Sequence, residues 1–250
     1  MAKEQFNSFN GLKALTQVDY WKPIINGHVP FPRLISIDLS GKCNLNCSFC
    51  NANKVKGNYS MSKETMNEIT QTIFNERKMN LNSDNLAVCI GGGGESTLNK
   101  DLAYFVKSLN ELSVDVGLVT NGVDISNLGD TSKYKWIGVS VDAARKETYK
   151  KIKGADKFDK VLSNIKKLTA DKKTEVTYKF LIHPDNKHEI EQAILKAKEL
   201  NCNQIHIRPA HYTWFDKKDK SYFSPGDAII AKETIDRMIK HEENKNFPHA

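Results

Sequence analysis

The sequence predicts an α/β fold in which six β-strands alternate with α-helices. Short alternating or continuous apolar runs predict the strands, and longer segments with apolar residues at helical spacing predict the helices between them. Six such units in succession predict a parallel sheet joined by right-handed crossovers. Functional side chains are then expected at the carboxyl ends of the strands. Periodicity alone leaves two architectures open, an open doubly wound sheet and a barrel-like curl.

Apolar patterning and turn residues mark the strands. Residues Leu34–Leu39 alternate apolar and polar, whereas Leu86–Ile90 is continuously apolar, as expected of a parallel strand covered on both faces. The third strand ends at Asn121-Gly122, a strong turn pair. The six predicted strands are Leu34–Leu39, Leu86–Ile90, Val114–Val119, Trp136–Val141, Glu175–Ile182 and Gln204–Arg208.

Helices are predicted after each strand, and Ser62 is the expected N-cap of the first of them. Two helices follow the fourth strand. The predicted helices are Lys63–Glu76, Asp101–Leu109, Lys146–Ile152, Asp159–Leu168, His188–Leu200 and a closing helix over Asp227–His241.

The predicted units divide the chain into a core and two flanking segments. Residues 1–32 contain Trp21, Pro23, Pro30 and Pro32, and we expect an irregular N-terminal arm there. Residues 33–215 form the predicted core, and residues 216–250 form a closing helix and a tail.

Composition predicts a soluble cytoplasmic protein. The 250 residues are 39% hydrophobic, which is enough for a core and argues against wholesale disorder. No apolar stretch reaches the ~18 residues that a membrane helix needs, and the start of the chain has no apolar signal segment. The net charge of +7 is explained by a solvated lysine-rich surface, or by a face for an acidic electron carrier or a nucleic acid.

Three of the five cysteines, Cys43, Cys47 and Cys50, lie together directly after the first predicted strand. An odd number of cysteines without a secretion signal argues against a disulfide framework and favours metal ligands or redox chemistry. A closed zinc or iron–sulfur site takes four ligands, and no fourth cysteine is near. The site therefore has an open position, or is a zinc site completed by a histidine such as His28 or His211.

The C-x3-C-x2-C spacing of these cysteines, with Phe49 before the last one, resembles the signature of the radical S-adenosylmethionine (SAM) superfamily. The resemblance implies a partial (β/α)6 TIM-like barrel of parallel strands. It implies a 4Fe-4S cluster on Cys43, Cys47 and Cys50, with SAM on the fourth iron and Phe49 beside the cofactor. It also implies that the protein is an oxidoreductase and that a flavodoxin or ferredoxin supplies its electrons.

A run of four glycines, Gly91 to Gly94, follows the second strand and precedes Glu95. Glycines let a backbone approach a ligand closely, although a simple tight turn explains the run as well. The run resembles the family's Gly-Gly-Glu-Pro motif, with Ser96 where proline is common. That resemblance implies that Gly92, Gly93, Gly94 and Glu95 contact the amino group of SAM.

Polar residues end the next two strands. Asn121, in Thr-Asn-Gly after the third strand, either reaches a ligand or only shapes a turn. Ser140 and Asp142 end the fourth strand, and alternation places both on one face, where they suit a ribose or a strand-end cap. The segment Glu147–Gly154 resembles the branch with molybdenum-cofactor cyclases and peptide-modifying enzymes. Lys153 stands where arginine is common there, which removes a bidentate carboxylate contact.

The last strands supply candidates for the substrate side. Arg208 could pair with the carboxylate of SAM or of the substrate, and His206 shares its face. The other candidates around the barrel mouth are His183, His211, Tyr212 and Trp214. Cys89 is expected to be a buried, inert thiol, and Cys202 has no assigned role.

The resemblance implies a radical SAM enzyme that cleaves SAM reductively to a 5′-deoxyadenosyl radical, which takes hydrogen from a substrate. No cysteine follows Cys202, so a single cluster is expected. The alternatives are a non-catalytic or regulatory protein with this fold, or a zinc-binding interaction module. The substrate stays open among peptides, nucleotides and sugars.

Overall fold

The computed structural model describes residues 18–53, 56–79, 86–210, 229 and 231–238. Within this part of the chain, six parallel strands form one sheet. The strands are β1 (Leu34–Ile37), β2 (Ala87–Ile90), β3 (Asp115–Thr120), β4 (Trp136–Ser140), β5 (Glu175–Ile182) and β6 (Gln204–Pro209). Each lies within two residues of its predicted bounds.

The order of the strands in the sheet decides between the two architectures. The order is β1-β2-β3-β4-β5-β6, the same as along the chain. Right-handed crossovers that always step in one direction place every helix on the same face of the sheet. A doubly wound sheet requires a reversal of strand order, and this sheet has none. The sheet is therefore the predicted α/β partial barrel, with its helices outside.

The helices follow the predicted order. They are α1 (Val18–Ile25), α2 (Lys63–Met79), α3 (Leu102–Glu111), α4 (Lys146–Lys153), α5 (Phe158–Ala170) and α6 (Ile190–Glu199). Ser62 caps α2 as predicted, since the backbone N–H of Thr65 donates to its Oγ at 3.3 Å. A short 3-10 turn over Lys187–Glu189 replaces the expected start of α6. Residues 231–238 are helical, inside the predicted closing helix.

Helix α1 covers Val18–Ile25 within residues 1–32, the segment predicted to be an irregular arm. Prolines at 23, 30 and 32 favoured irregular structure, yet Pro23 lies within α1. It is the sixth of eight residues, so its missing N–H removes one hydrogen bond near the end of a short helix. The chain leaves α1 through Gly27, whose φ of +79° suits a residue without a side chain.

The two faces of the sheet have different environments. Outward residues such as Leu118, Ile137 and Phe180 are fully buried against the helices. Alternate residues on the same strands, such as Val119, Ser140 and Lys179, line an internal cavity instead. The sheet therefore presents its polar side chains to the inside of the barrel, where the candidate site lies. Among the described residues, none of the helices combines the length and apolar character that crossing a bilayer requires.

Candidate active site

A cavity of about 620 Å³ opens at the carboxyl ends of the strands. Its wall contains all twelve residues that the sequence singled out for cluster or cofactor binding. They are Cys43, Cys47, Phe49, Cys50, Gly92, Gly93, Gly94, Glu95, Asn121, Ser140, Asp142 and Arg208. Residues from four separate loops and two strand ends thus meet at one surface.

The three cysteines are free, half-buried thiols on the loop that follows β1. The end of α4 holds this loop, because the N–H groups of Asn46 and Ser48 donate to the carbonyls of Lys153 and Ile152 at 3.2 and 2.9 Å. Burial raises the pKa of Cys47, and the nearby charge of Lys153 opposes that rise. The cysteine loop and α4 therefore form one unit.

Three thiols on a single loop are the donor set that iron–sulfur clusters use, and they leave one position open for another ligand. In the described residues, no three His, Cys, Asp or Glu side chains are grouped to hold a single metal ion. A cluster is larger than an ion, so its ligands need not converge on one point. The chemistry of the donor set thus fits an iron–sulfur cluster at this loop.

Glu95 is only 3% exposed, and both of its carboxylate oxygens accept hydrogen bonds from the protein. One oxygen accepts from the N–H and Oγ1 of Thr97 and from Oγ1 of Thr120, at 3.2, 2.8 and 2.7 Å. The other accepts from the N–H of Asn121 at 2.7 Å. Burial raises the pKa of Glu95, and these hydrogen bonds oppose the rise. This side chain, which the resemblance predicts to contact SAM, also joins the glycine run to the loop after β3.

Close contacts explain the glycines before Glu95. A Cβ on Gly94 would collide with the carbonyl oxygens of Ser40 and Lys42, and one on Gly92 would collide with the carboxylate of Asp38. Asp38 also accepts a hydrogen bond from the N–H of Gly93 at 2.9 Å. The run is therefore packed against the cysteine loop on one side and lines the cavity on the other.

Asn121 connects two loops of the site. Its Nδ2 donates to Oδ1 of Asn44 at 2.7 Å and lies 4.0 Å from Sγ of Cys43. Its Oδ1 accepts from the N–H of Val123 at 3.0 Å, which closes the turn after β3. Asn121 thus shapes the turn, which was one of its two predicted roles, and it also supports the cysteine loop. Its contact with a ligand stays a prediction.

Asp142 differs from the expectation that it shares a strand face with Ser140. Strand β4 ends at Ser140, and Asp142 has a left-handed φ of +58°, so the alternation stops before it. Its buried carboxylate accepts from Nζ of Lys153 and from the N–H of Leu181, the latter at 2.6 Å. Asp142 therefore joins the turn after β4 to α4 and β5, and both Asp142 and Ser140 line the cavity.

Lys153, left without an assignment by the sequence, is a buried residue of the site. Burial alone would lower its pKa, but the charges of Asp142 and then Cys47 raise the pKa above its usual value. Its Nζ also lies 5.4 Å from the centre of the Phe49 ring. Lys153 thus brings a positive charge to the cysteine loop.

Sequence reasoning missed Lys179 and Asp38, which also line the cavity. Alternation in β5 was a usable signal for Lys179, because Tyr178 and Phe180 beside it read as the buried face. His206 lies on the inner face in register with Lys179. Burial, with the charges of Lys179 and Arg208, lowers the pKa of His206 to about 4.

The remaining candidates lie elsewhere. His183 is buried, with its ring 5.9 Å from that of Phe49, but it is not among the residues that line the cavity. His211, Tyr212 and Trp214 lie outside the described residues. Cys89 is half-buried rather than fully buried, and burial raises its pKa. Burial raises the pKa of Cys202 to about 12.

Comparison with known proteins gives both sequence relatives and structural neighbours. Two archaeal proteins named "Probable GTP 3′,8-cyclase", from Saccharolobus solfataricus (strain P2) and Saccharolobus islandicus (strain Y.N.15.51), are 30% and 33% identical over 214 residues. The match spans 82% of this chain and 67% of each relative.

The structural neighbours share the fold at lower sequence identity. The SAM-bound structure of SuiB from Streptococcus suis has a TM-score of 0.72 at 17% identity, covering 89% of this chain and 51% of SuiB. The structure titled "Native anSMEcpe with bound AdoMet" has a TM-score of 0.67 at 23% identity, covering 85% and 62%. The chain thus spans about half the length of SuiB.

A family model described as "Radical SAM superfamily" matches residues 37–197, which is more than half of the chain. The matched segment begins at the end of β1 and includes the cysteine loop, the glycine run and all the strands up to β5. The fold, the cavity and both sets of relatives agree with this match. The chain belongs to the radical SAM superfamily, and the protein is an enzyme of that superfamily.

Proposed function

We propose that Cys43, Cys47 and Cys50 bind a 4Fe-4S cluster and that the cavity beside them binds SAM. When bound, the reduced cluster would supply one electron to SAM, giving methionine and a 5′-deoxyadenosyl radical that takes a hydrogen atom from the substrate. The single observation that carries this proposal is that the three thiols share one cavity wall with the glycine run.

The protein's own contribution is to hold the cofactor loops in one arrangement. Glu95 ties the glycine run to Thr120 and Asn121, and Asn121 continues the connection to the cysteine loop. These side chains are buried and already paired, so they act by positioning the backbone around the ligand. The backbone of Gly92 to Gly94, which lines the cavity, is then the surface that the amino group of SAM meets.

Lys153 has an electrostatic role in this proposal. It is buried beside Cys47 and paired with Asp142, so it places a positive charge next to thiolates that would carry negative charge. Such a charge favours thiolate ligands and an electron added to the cluster. Ser140, which also lines the cavity, offers a hydroxyl group to the ribose of SAM.

The substrate and the electron donor are further proposals. The relatives at 30–33% identity are named as GTP cyclases, so GTP is the first substrate to test. One neighbour, SuiB, has also been solved with a precursor peptide, which makes peptides the second class. The net charge of +7 is compatible with an acidic flavodoxin or ferredoxin as the electron donor.

The test is anaerobic reconstitution with iron and sulfide, followed by EPR of the reduced protein with and without SAM. We expect a 4Fe-4S signal that changes when SAM is added and is lost in Cys47→Ala. Cys202→Ala is the matched control, because it removes a thiol far along the chain from the loop. Dithionite and SAM should then yield 5′-deoxyadenosine.

Other results would support the alternatives. A cluster that does not respond to SAM would favour a non-catalytic protein with this fold. A colourless protein with one zinc and no rebuildable iron site would favour a zinc-binding module. If 5′-deoxyadenosine forms, deuterium transfer into it from deuterated GTP or from a deuterated peptide would identify the substrate class.

A further inference from the structure

Two cations of the cavity, Lys179 on β5 and Arg208 on β6, have no role in the proposed handling of SAM. Both line the same cavity as the cysteines. In the part of the chain that the structure describes, neither side chain makes an ion pair or a hydrogen bond. By contrast, Lys153 is paired with Asp142.

The sheet places these cations close together on its inner face. Lys179 is in register with Ser140 on one side and with His206 on the other. Arg208 follows His206 by two residues, so its side chain leaves the strand on the same face. The stem of Lys179 lies over Gly138, where a Cβ would come within 2.8 Å of Cδ of the lysine. The missing side chain at Gly138 therefore makes room for Lys179 inside the barrel.

Among the described residues, none of the three carboxylates that line the cavity forms an ion pair with Lys179 or Arg208. Asp38 accepts from the N–H of Gly93, Glu95 accepts four hydrogen bonds, and Asp142 is paired with Lys153. Two neighbouring cations in a partly desolvated cavity repel each other, which is a cost that a bound anion would remove.

The titration of the neighbouring groups agrees with this arrangement. Burial and then the charge of Arg208 lower the pKa of Lys179, while Cys89 and Asp142 act in the opposite direction. The low pKa of His206, about 4, leaves that imidazole neutral at neutral pH. The positive charge of this face thus comes from Lys179 and Arg208.

We propose that Lys179 and Arg208 bind an oxyanion group of the substrate, a phosphate or a carboxylate. Ammonium and guanidinium groups together suit an oxyanion, since the guanidinium can make two parallel hydrogen bonds to the oxyanion.

This inference rests on the proposed function, because the proposed function assigns the part of the cavity beside the cysteines to the cluster and SAM. The described charges that act on the pKa of Cys47 are those of Lys153, Asp142 and the other two cysteines, and neither Lys179 nor Arg208 is among them.

Calorimetry with the cluster-loaded enzyme in saturating SAM tests the proposal, with inorganic phosphate and malonate as the two probes. We expect one of them to bind, and we expect Lys179→Met and Arg208→Gln each to weaken that binding about tenfold or more. Methionine keeps an unbranched stem over Gly138. The controls, Lys107→Met and Arg237→Gln, make the same charge changes at exposed positions and should have no effect.

A second variant separates charge from position. Gly138→Ala would displace the stem of Lys179 while it keeps every charge, so it should weaken the same probe. Stronger binding of phosphate indicates a phosphorylated substrate, and stronger binding of malonate indicates a carboxylate.

The proposal is overturned if neither probe binds the wild type, or if Lys179→Met and Arg208→Gln bind the probe as the wild type does. It is also overturned if both variants lose SAM affinity to the same extent, since the pair would then serve the carboxylate of SAM. An enzyme that fails to cleave SAM, yet binds a probe through Lys179, would reject the proposed function and leave the anion site standing.

Discussion

The ammonium group of Lys153 and the carboxylate of Asp142 form an ion pair in which both side chains are at most 3% exposed. The pair joins the last residue of α4 to the left-handed turn after β4. The same carboxylate accepts from the N–H of Leu181 on β5. Because the carbonyl of Lys153 also receives the N–H of Asn46, the pair connects the ends of β4 and β5, helix α4 and the cysteine loop.

Lys153→Met should therefore destabilise the protein by about 3–5 kcal/mol, because it leaves the Asp142 carboxylate buried without its partner. Urea unfolding of the wild type and the variant measures this difference. The double variant Lys153→Met/Asp142→Asn removes both charges, so it should regain part of the lost free energy. A single variant as stable as the wild type would show that the pair contributes little.

The same ion pair shows where prediction from sequence stops. The two-residue alternation along β5 predicts on which face of the sheet the side chain of Lys179 lies, because alternation holds within a strand. Alternation says nothing about Asp142, because β4 ends at Ser140 and the left-handed φ of +58° at Asp142 interrupts the pattern. A buried contact between residues on a turn and on a helix depends on tertiary packing, which a local pattern does not encode.

Glu95→Ala should also act mainly on stability. The change leaves the buried donors of Thr97, Thr120 and Asn121 without an acceptor, which costs about 3 kcal/mol. Glu95→Gln keeps one acceptor oxygen and should lose less. Urea unfolding in the absence of SAM distinguishes this role from direct ligand contact, since a residue that only contacts SAM would leave the unfolding curve unchanged.

The motif containing Glu95 was found in the sequence, but the hydrogen bonds that its carboxylate accepts from the protein were not. The spacing of four glycines and an acidic residue after a strand is visible locally. The donors that occupy Glu95 come partly from the loop after β3, at Thr120 and Asn121, and lie 25 and 26 residues away. Only the pairing of β2 with β3 brings these groups together.

Gly94→Ala should disturb the contact between the glycine run and the cysteine loop. The new Cβ would meet the backbone carbonyls of Ser40 and Lys42, which cannot rotate away as a side chain could. We expect a loss of about 1–3 kcal/mol together with reduced iron content after reconstitution. Gly57→Ala is the matched control, because its Cβ would reach Tyr59 only at 3.5 Å. Equal behaviour of the two variants would contradict this account.

His206 should make stability depend on pH. Its pKa is lowered from 6.5 to about 4 in the folded protein, so the unfolded chain takes up the proton first as the pH falls. The folded state therefore loses stability as the pH drops from about 6.5 towards 4, and the contribution is complete above this range. His206→Gln should flatten this part of the dependence of stability on pH, measured by urea unfolding between pH 7.5 and 5.

His28→Gln changes an exposed histidine and should keep the wild-type slope of stability against pH. If His206→Gln also keeps that slope, the pKa of His206 is not lowered in the folded protein. The charges of Lys179 and Arg208 would then act on the imidazole less strongly than the structure indicates.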